Sequence, residues 1–94
     1  MKKKRILCRM KPRDIKNSRR KSACFCPIAN CISRTLKIDN PYLVVVTKEK
    51  ISRYDPKDQL IYFKPSIRMQ RFIEKFDNGD SVKPINFYLE EVSR

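Results

Sequence analysis

Alternation of apolar and charged residues near the amino terminus predicts a strand. In residues 5–10 the apolar side chains at even positions alternate with Arg5 and Arg9, the period of two that is typical of a half-buried strand. Pro12 ends this pattern because proline cannot donate to a strand ladder. Residues 13–23 are rich in charge and show no apolar period, which predicts a loop or a mobile arm.

A helix is predicted to begin at Cys26-Pro27. Proline is favoured at the first helical position, where its missing N–H would be unpaired in any case. From Ile28 onward, apolar residues recur at helical spacing and form one stripe down to about Lys37. The breaker sequence at residues 39–41 then ends the segment.

Three strands are predicted in the middle of the chain. Residues 42–47 are a β-branched run that is apolar on both faces, so we expect a central strand there. Shorter strands are predicted at residues 51–54 and 60–63. Between them, the sequence Asp-Pro-Lys-Asp at residues 55–58 is a strong turn signal.

The last third of the chain predicts a helix and a strand. Pro65 starts the second helix, whose apolar residues share one face, and Asn78-Gly79 supplies its left-handed stop. Residues 85–89 then alternate between apolar and polar side chains. The order βαβββαβ predicts the α+β class, a small sheet with two helices packed on it.

Positive charge is concentrated at the amino terminus. The chain of 94 residues has 23 Lys and Arg against 10 Asp and Glu, a formal net charge of +13. Residues 1–22 contain eleven basic side chains and one acidic one, a net charge of +10, whereas residues 23–94 contain twelve and nine, a net charge of +3. We therefore expect one domain, composed of a basic amino-terminal strand and arm (residues 1–22) and a compact α+β body (residues 23–94).

The basic segment at residues 1–22 attracts polyanions, because its binding releases their counterions. We therefore predict contacts with RNA, DNA or a nucleoprotein complex. Three cations on the second helix, spaced by three and four, share a face that can follow a phosphate backbone. The candidate nucleic-acid-binding residues are Lys2, Lys3, Lys4, Arg5, Arg9, Lys11, Arg13, Arg19, Arg20, Lys21, Arg68, Arg71 and Lys75. The alternatives are a host protein with an acidic surface and a charge run that is merely solvated.

Membrane association and catalysis are not expected. No stretch approaches the roughly 18 apolar residues of a membrane span, no secretory signal is visible, and the basic segment lacks an amphipathic helix with aromatic anchors. We therefore expect a cytoplasmic protein. The chain has no histidine, one glycine and no phosphate-cradling loop, so we expect neither an enzyme nor a cofactor.

Tyrosines on the predicted strands leave a question open. Exposed rings between positive charges stack on the bases of single-stranded nucleic acid. Tyr54, Tyr62 and Tyr88, near Arg53 and Lys64, can form such a platform or belong to the core. The sequence does not show which way they face.

Four thiolates can hold zinc in a tetrahedral site, so the cysteines are candidate ligands. They are Cys8, Cys24, Cys26 and Cys31. Their spacing lacks paired C-x2-C knuckles, so buried core residues are the favoured interpretation and zinc is the alternative. Disulfides are not expected in a cytosolic chain. A helix amino terminus favours thiolate, which predicts a lowered pKa for Cys26.

Two motifs resemble a known family. The letters CPIA begin at Cys26, and the pattern FI-x-x-FD-x-G-x-x-V-x-P-x-x-F-x-L runs from Phe72 to Leu89. In this order, over residues 14–89, they resemble a family of small uncharacterised phage and bacterial proteins. The resemblance implies a phage-like origin and no particular chemistry. Cys31 and the heavy basic leader depart from the family pattern, so polyanion binding can be peculiar to this chain.

Two functions are therefore predicted as alternatives. In the first, the protein is a small basic nucleic-acid or nucleoprotein binder of phage type that contacts phosphates through its amino-terminal segment. In the second, it is an interaction module or inhibitor that docks on a host complex, such as a defence nuclease or the transcription machinery. The first requires affinity for naked nucleic acid that falls with salt, and the second requires exposed apolar surface.

Overall fold

The computed structural model describes residues 5–54 and 59–92 of the chain. The elements are β1 (Arg5–Arg9), α1 (Pro12–Lys16), α2 (Pro27–Thr35), a 3-10 helix (Pro41–Leu43), β2 (Val44–Val46), β3 (Ile51–Tyr54), β4 (Leu60–Phe63), α3 (Ile67–Asp77) and β5 (Asn86–Glu90). This mixture of helices and strands confirms the predicted α+β class. The predicted turn at residues 55–58 lies outside the described residues.

The strands form two antiparallel ladders that a short bridge joins. β1 pairs with β5, and β2, β3 and β4 pair in that order. Just after β5, a bridge links Phe63 to Glu91, and the Val92 N–H donates to the Tyr62 carbonyl at 2.9 Å. The strand order across the molecule is therefore β2-β3-β4-β5-β1.

The core lies on one side of this sheet. β5 alternates exposed with buried residues and buries Phe87 and Leu89, and β1 buries Cys8. α2 packs on β1 and β2, and four apolar residues of α3 belong to the same core. The helices therefore cover one face, and the other carries most of the exposed strand side chains, although Ser52 on it is buried. Within the described ranges the longest helix is α3, with eleven residues, and no helix there is long and apolar enough to cross a membrane.

The predicted central strand at residues 42–47 is wrong in length and in position. Asn40 accepts a hydrogen bond from the Tyr42 N–H at 3.0 Å and caps the 3-10 helix, so β2 keeps only three residues. In its ladder β2 pairs with β3 alone, which makes it an edge strand, and Val45 is exposed. The β-branched run at residues 44–46 is therefore apolar on both faces of the strand, but the protein covers only one of these faces.

The two longer helices begin and end within two residues of the predicted positions, because side chains cap them. The Cys26 sulfur accepts the Ala29 N–H at 3.3 Å at the start of α2. The Ser66 hydroxyl accepts the Met69 N–H at 3.3 Å at the start of α3. α3 ends before Gly79, whose φ of +88° is readily adopted only by glycine.

The segment predicted to be a loop or mobile arm contains α1, so that prediction is wrong there. The Asp14 carboxylate accepts the Lys11 N–H at 2.8 Å, which closes the first turn. The same carboxylate pairs with Arg34 of α2 through two bonds of 2.8 and 3.2 Å, and Arg34 also donates to the Arg9 carbonyl at 2.6 Å. Asp14 is only 4% exposed. This ion pair therefore joins β1, α1 and α2.

The chain between α1 and α2 is also held against the fold. The Arg19 N–H donates to the Phe25 carbonyl at 2.8 Å. The Lys21 N–H donates to the Asp77 carboxylate, at the end of α3, also at 2.8 Å. Residues 5–22 are thus packed against the rest of the molecule.

Replacing Asp14 by Asn is expected to lower the free energy of unfolding by about 3 kcal/mol, because Arg34 loses its charged partner. Burial raises the pKa of Asp14, but the hydrogen bonds from Arg34 and the Lys11 N–H, with the Arg34 charge, outweigh it, so the pKa lies below 3.8. A carboxyl group whose pKa is lower in the folded than in the unfolded state stabilises the folded protein at any pH above the unfolded-state pKa. This stabilisation is lost as the pH falls through the folded-state pKa.

Urea unfolding at about pH 7, 5 and 3 checks this expectation. The intact protein should lose stability between about pH 5 and 3, and the Asp14→Asn variant should lose less. Asp39→Asn, at an exposed position, is the matched control. A similar loss of stability in both variants would contradict the structural role of the ion pair.

Candidate nucleic-acid interface

The solvent-facing side of the sheet, here named the open face, combines aromatic, apolar and basic side chains. It presents Arg5, Leu7, Arg9, Val45, Tyr54, Tyr62, Lys64, Asn86, Tyr88 and Val92, with Lys50 at its border and one carboxylate, Glu90, beside Arg5. Each of these strand positions alternates with a residue that faces the helices, because successive side chains of a strand point to opposite sides. The alternation along each strand, together with the pairing of the strands, therefore determines which side chains lie on the open face.

Three tyrosines lie on the open face. Tyr54 on β3 and Tyr88 on β5 are 48% and 50% exposed. Tyr62 on β4 shares their face, because Leu60, two residues before it, pairs with Tyr54. The backbone bond between Tyr62 and Val92 places Tyr88 there as well, four residues from Val92. The facing of the tyrosines, which the sequence left open, is therefore outward for all three.

Basic side chains lie against two of these rings. The guanidinium carbon of Arg5 is 4.4 Å from the centroid of the Tyr88 ring, and the Lys50 Nζ is 5.2 Å from that of Tyr62. These are cation–π distances. Arg5 also pairs with Glu90 at 3.2 Å, but both side chains are more than half exposed and such a pair contributes little.

Arg9 and Lys64 add exposed charge to the same face. Arg9 pairs with Asn86 at one end of the β1–β5 ladder. The Lys64 N–H donates to the Glu90 carbonyl at 3.3 Å, which places Lys64 between β4 and β5. Arg53, predicted to accompany the tyrosines, lies on the other face, because it alternates with Ser52 and Tyr54 along β3.

The predicted phosphate-contacting residues are exposed wherever they are described, but they do not form one surface. The ten described ones are Arg5, Arg9, Lys11, Arg13, Arg19, Arg20, Lys21, Arg68, Arg71 and Lys75. Arg5 and Arg9 lie on the open face, Lys11 and Arg13 flank the start of α1, and the last three lie on α3 in the helix layer. Lys2, Lys3 and Lys4 lie outside the described residues.

Residues 19–21 make contacts within the fold, through the charged side chain for Arg19 and Arg20 and through the backbone for Lys21. The Arg19 guanidinium carbon is 5.3 Å from the centroid of the Phe25 ring. Arg20 passes close to Gly79, and the Lys21 N–H binds Asp77, both at the carboxyl end of α3. Cations stabilise a helix carboxyl terminus through its dipole. The Arg20 charge therefore has a structural role that needs no polyanion, whereas the Lys21 contact is made by the backbone and does not use the side-chain charge.

The cysteines do not converge on one point. Cys8 and Cys31 are fully buried and hydrogen-bonded to each other, Cys26 is buried as the cap of α2, and Cys24 is partly exposed. Within residues 5–54 and 59–92, no group of three or more potential ligands is placed to hold a metal ion. The burial of Cys8, Cys26 and Cys31 confirms the core interpretation for these three.

The predicted lowering of the Cys26 pKa is wrong. Burial raises the pKa of this thiol to about 11 and outweighs the hydrogen bonds from the helix amino terminus. Cys8 and Cys31 form a buried, hydrogen-bonded pair. The hydrogen bond from Cys31 lowers the pKa of Cys8, and the same bond raises the pKa of Cys31. Ionisation of one of these two thiols therefore disfavours ionisation of the other, because the remaining proton is then shared between the two sulfur atoms.

Four contributors to the open face were missed in the sequence, namely Leu7, Val45, Val92 and Lys50. Leu7 faces Tyr88 across the β1–β5 ladder, and Lys50 lies over Tyr62. Leu7 interrupts the alternation of β1, and an apolar residue at an outward position is itself a signal of contact surface. The sequence predicts a turn at Lys48-Glu49, but the position of Lys50 depends on the path of that β2–β3 turn, which the residue pattern does not give.

Comparisons with protein-family models, with curated proteins and with solved structures found no match to this chain. The resemblance to the phage and bacterial family therefore stays a prediction.

The exposure of the thiols predicts how they react. In the folded protein at about pH 8, an alkylating reagent is expected to modify Cys24 quickly and the other three slowly, because reaction requires an accessible thiolate. After unfolding, all four should react. Intact-mass spectrometry counts the modified thiols, and Cys24→Ser serves as the control that removes the fast phase. Fast modification of two or more thiols in the folded protein would contradict the described burial.

Proposed function

We propose that the protein binds single-stranded nucleic acid on the open face, with bases stacked on its tyrosines and phosphates held by its cations. The observation that carries this proposal is the presence of Tyr54, Tyr62 and Tyr88 on one face of the sheet, with Tyr54 and Tyr88 about half exposed, Tyr62 partly buried, and cations at two of the rings. Aromatic residues on an open sheet stack on unpaired bases in known modes of single-strand recognition.

The spacing of the strands supports contact with neighbouring nucleotides. Adjacent strands lie about 4.8 Å apart, and Tyr88, four residues from Val92, is displaced by about 13 Å along β5 from the position of Tyr62. A single strand that runs obliquely over the sheet can therefore reach more than one ring. Arg5 and Arg9 at one side and Lys50 and Lys64 among the rings are available to its phosphates.

A single strand suits this face better than a duplex does. In a duplex the base faces are stacked on one another, so a flat array of tyrosines can reach only phosphates and sugars. Unpaired bases offer a π-face whatever their identity, which favours binding with little sequence preference. The overall charge of +13 adds a salt-sensitive attraction that any polyanion would share.

A protein partner is the competing function for the same face. Leu7, Val45 and Val92 are exposed there beside the tyrosines. Apolar and aromatic side chains edged by arginine are typical of protein–protein contact surfaces. A host protein with an acidic surface, or a nucleoprotein complex that a phage-type inhibitor blocks, would use these residues without stacking on bases.

Tyr88→Ala is expected to weaken binding of a labelled single-stranded oligothymidylate about tenfold, because stacking of one base contributes about 1–3 kcal/mol. Tyr42→Ala is the matched control. Tyr42 is 67% exposed, but it lies in the 3-10 helix and packs edge-on against Phe25, with ring centroids 5.5 Å apart. Fluorescence anisotropy at low salt measures both affinities, and the control should change by less than about twofold.

A duplex of the same length should bind more weakly and should not respond to Tyr88→Ala. Tyr88→Phe, which keeps the aromatic ring, should restore binding to the single strand. Equal losses for Tyr88→Ala and Tyr42→Ala would refute base stacking on the open face. In that case binding to an acidic protein would become the leading function.

Replacing Arg9 and Lys64 together by Gln is expected to make the salt dependence less steep. On single strands each lost phosphate contact reduces the slope of log K against log salt by about 0.7, so the double variant should lose about 1.4. Lys16→Gln with Lys37→Gln is the control, since both lysines are exposed and lie outside the open face. Affinities measured between about 50 and 200 mM salt give the slopes.

An unchanged slope for the Arg9 and Lys64 variant would place the phosphates elsewhere on the protein. Substitution is the appropriate test because removal of residues 1–22 would delete β1, which pairs with β5 along its whole length.

A further inference from the structure

A groove on the helix side of the molecule differs in chemistry from the open face. It has a volume of about 540 Å³ and lies between α3 and residues 78–85, which lead into β5. Arg68, Arg71 and Lys75 form the α3 wall, and Lys83 stands on the facing wall. All four side chains are exposed. The rim of the groove is therefore cationic on both sides.

The floor of this groove is apolar and mostly aliphatic. Phe72, Val82 and Ile85 line it. Phe72 is only 6% exposed, so little of its ring is accessible, whereas the open-face tyrosines at either side of the sheet are about half exposed. A base has no free aromatic surface to stack on in the groove. The floor suits aliphatic side chains instead.

The negative charge of Glu74, the one carboxylate in the groove lining, is partly balanced by a nearby lysine. Glu74 lies 4.0 Å from the Lys48 Nζ, and both side chains are about half exposed. A ligand of the groove therefore meets an excess of positive charge at the rim and apolar atoms below it. Negative side chains at the edge of the ligand and aliphatic ones at its centre complement this arrangement.

We propose that the groove binds an acidic, amphipathic segment of a partner protein. Aspartate and glutamate side chains pair with the rim cations, and aliphatic side chains fill the floor over Phe72, Val82 and Ile85. This site goes beyond the proposed function, because the groove and the open face lie on opposite sides of the sheet. One molecule can therefore hold a nucleic-acid strand on one side and an acidic protein on the other.

The length of the cationic wall indicates the form of the segment. From Arg68 to Lys75, α3 rises about 10 Å at about 1.5 Å per residue. Two turns of a partner helix cover the same distance, and residues at i, i+3, i+4 and i+7 of that helix share one face. An acidic helix with leucines on the same face as its carboxylates fits these dimensions.

The probe is a fluorescein-labelled helical peptide of about 16 residues, with Glu and Leu on one face and Ala and Gln elsewhere. A peptide of the same composition in scrambled order is the control for charge alone. The intact protein is expected to bind the probe about tenfold more tightly than the scrambled peptide, since only the probe aligns carboxylates and leucines.

Arg71→Glu with Lys75→Glu is expected to weaken probe binding about tenfold, because two ion pairs are replaced by repulsion. Lys16→Glu with Lys37→Glu changes the net charge equally and should alter binding less than about threefold. Val82→Ser removes apolar floor without changing charge, and it should weaken the probe about threefold. Circular dichroism confirms that each variant is folded.

Equal binding of the scrambled peptide, or equal loss in the two charge-reversal variants, would overturn the groove as a specific site. Displacement of the probe by excess oligothymidylate would also overturn the groove as a specific site. It would show that the probe binds through a general attraction of the protein for polyanions. Tyr88→Ala should leave probe affinity unchanged. Failure of the groove is thus distinguishable from failure of the open face, which the Tyr88 variants test separately.

Discussion

The ion pair between Asp14 and Arg34 is the interaction on which the arrangement of the basic segment depends. One guanidinium binds the carboxylate twice and the Arg9 carbonyl once, so β1, α1 and α2 meet at a single side chain. Replacing a buried ion pair by apolar packing often costs little, whereas leaving one partner alone is expensive, so its main effect here is to select one arrangement. A segment with eleven cations and one carboxylate would repel itself as a free arm. That one carboxylate joins α1 to α2 and, through Arg34, to β1, in addition to the β1–β5 ladder and the bond between Lys21 and Asp77.

The helices cover the sheet on one side, and this leaves two basic surfaces of different character. On the open face, strand alternation sends Tyr54, Tyr62 and Tyr88 outward and their neighbours into the core. In the helix layer, the same core buries Phe72 and leaves the cations of α3 above an aliphatic floor. Both surfaces are cationic, so charge alone would not separate them. The two surfaces differ in the accessibility of their aromatic rings. The open face therefore suits unpaired bases, and the groove suits an acidic protein segment.

Local chemistry made much of the fold predictable. Pro27 and the Gly79 stop marked the helix boundaries, and the alternation in residues 85–89 gave the facing of β5, because these signals act within a few residues. The errors arose where a distant partner decided the outcome. α1 depends on Asp14 meeting Arg34, twenty positions away, and β2 is at an edge because of the strand order. The Cys26 pKa follows burial by the whole core, which outweighs the helix terminus beside it.

By itself, the sequence determined the α+β class, the positions of the longer helices and most strands, and the excess of positive charge, because each of these depends on residue type and short spacing. Only the tertiary structure decided which surfaces carry that charge. Alternation along a strand assigns residues to two sides, but it does not say which side the helices cover. That choice depends on long-range packing and strand order, and it placed three tyrosines, two of them about half exposed, on one face of the sheet and the α3 cations in the wall of a separate groove.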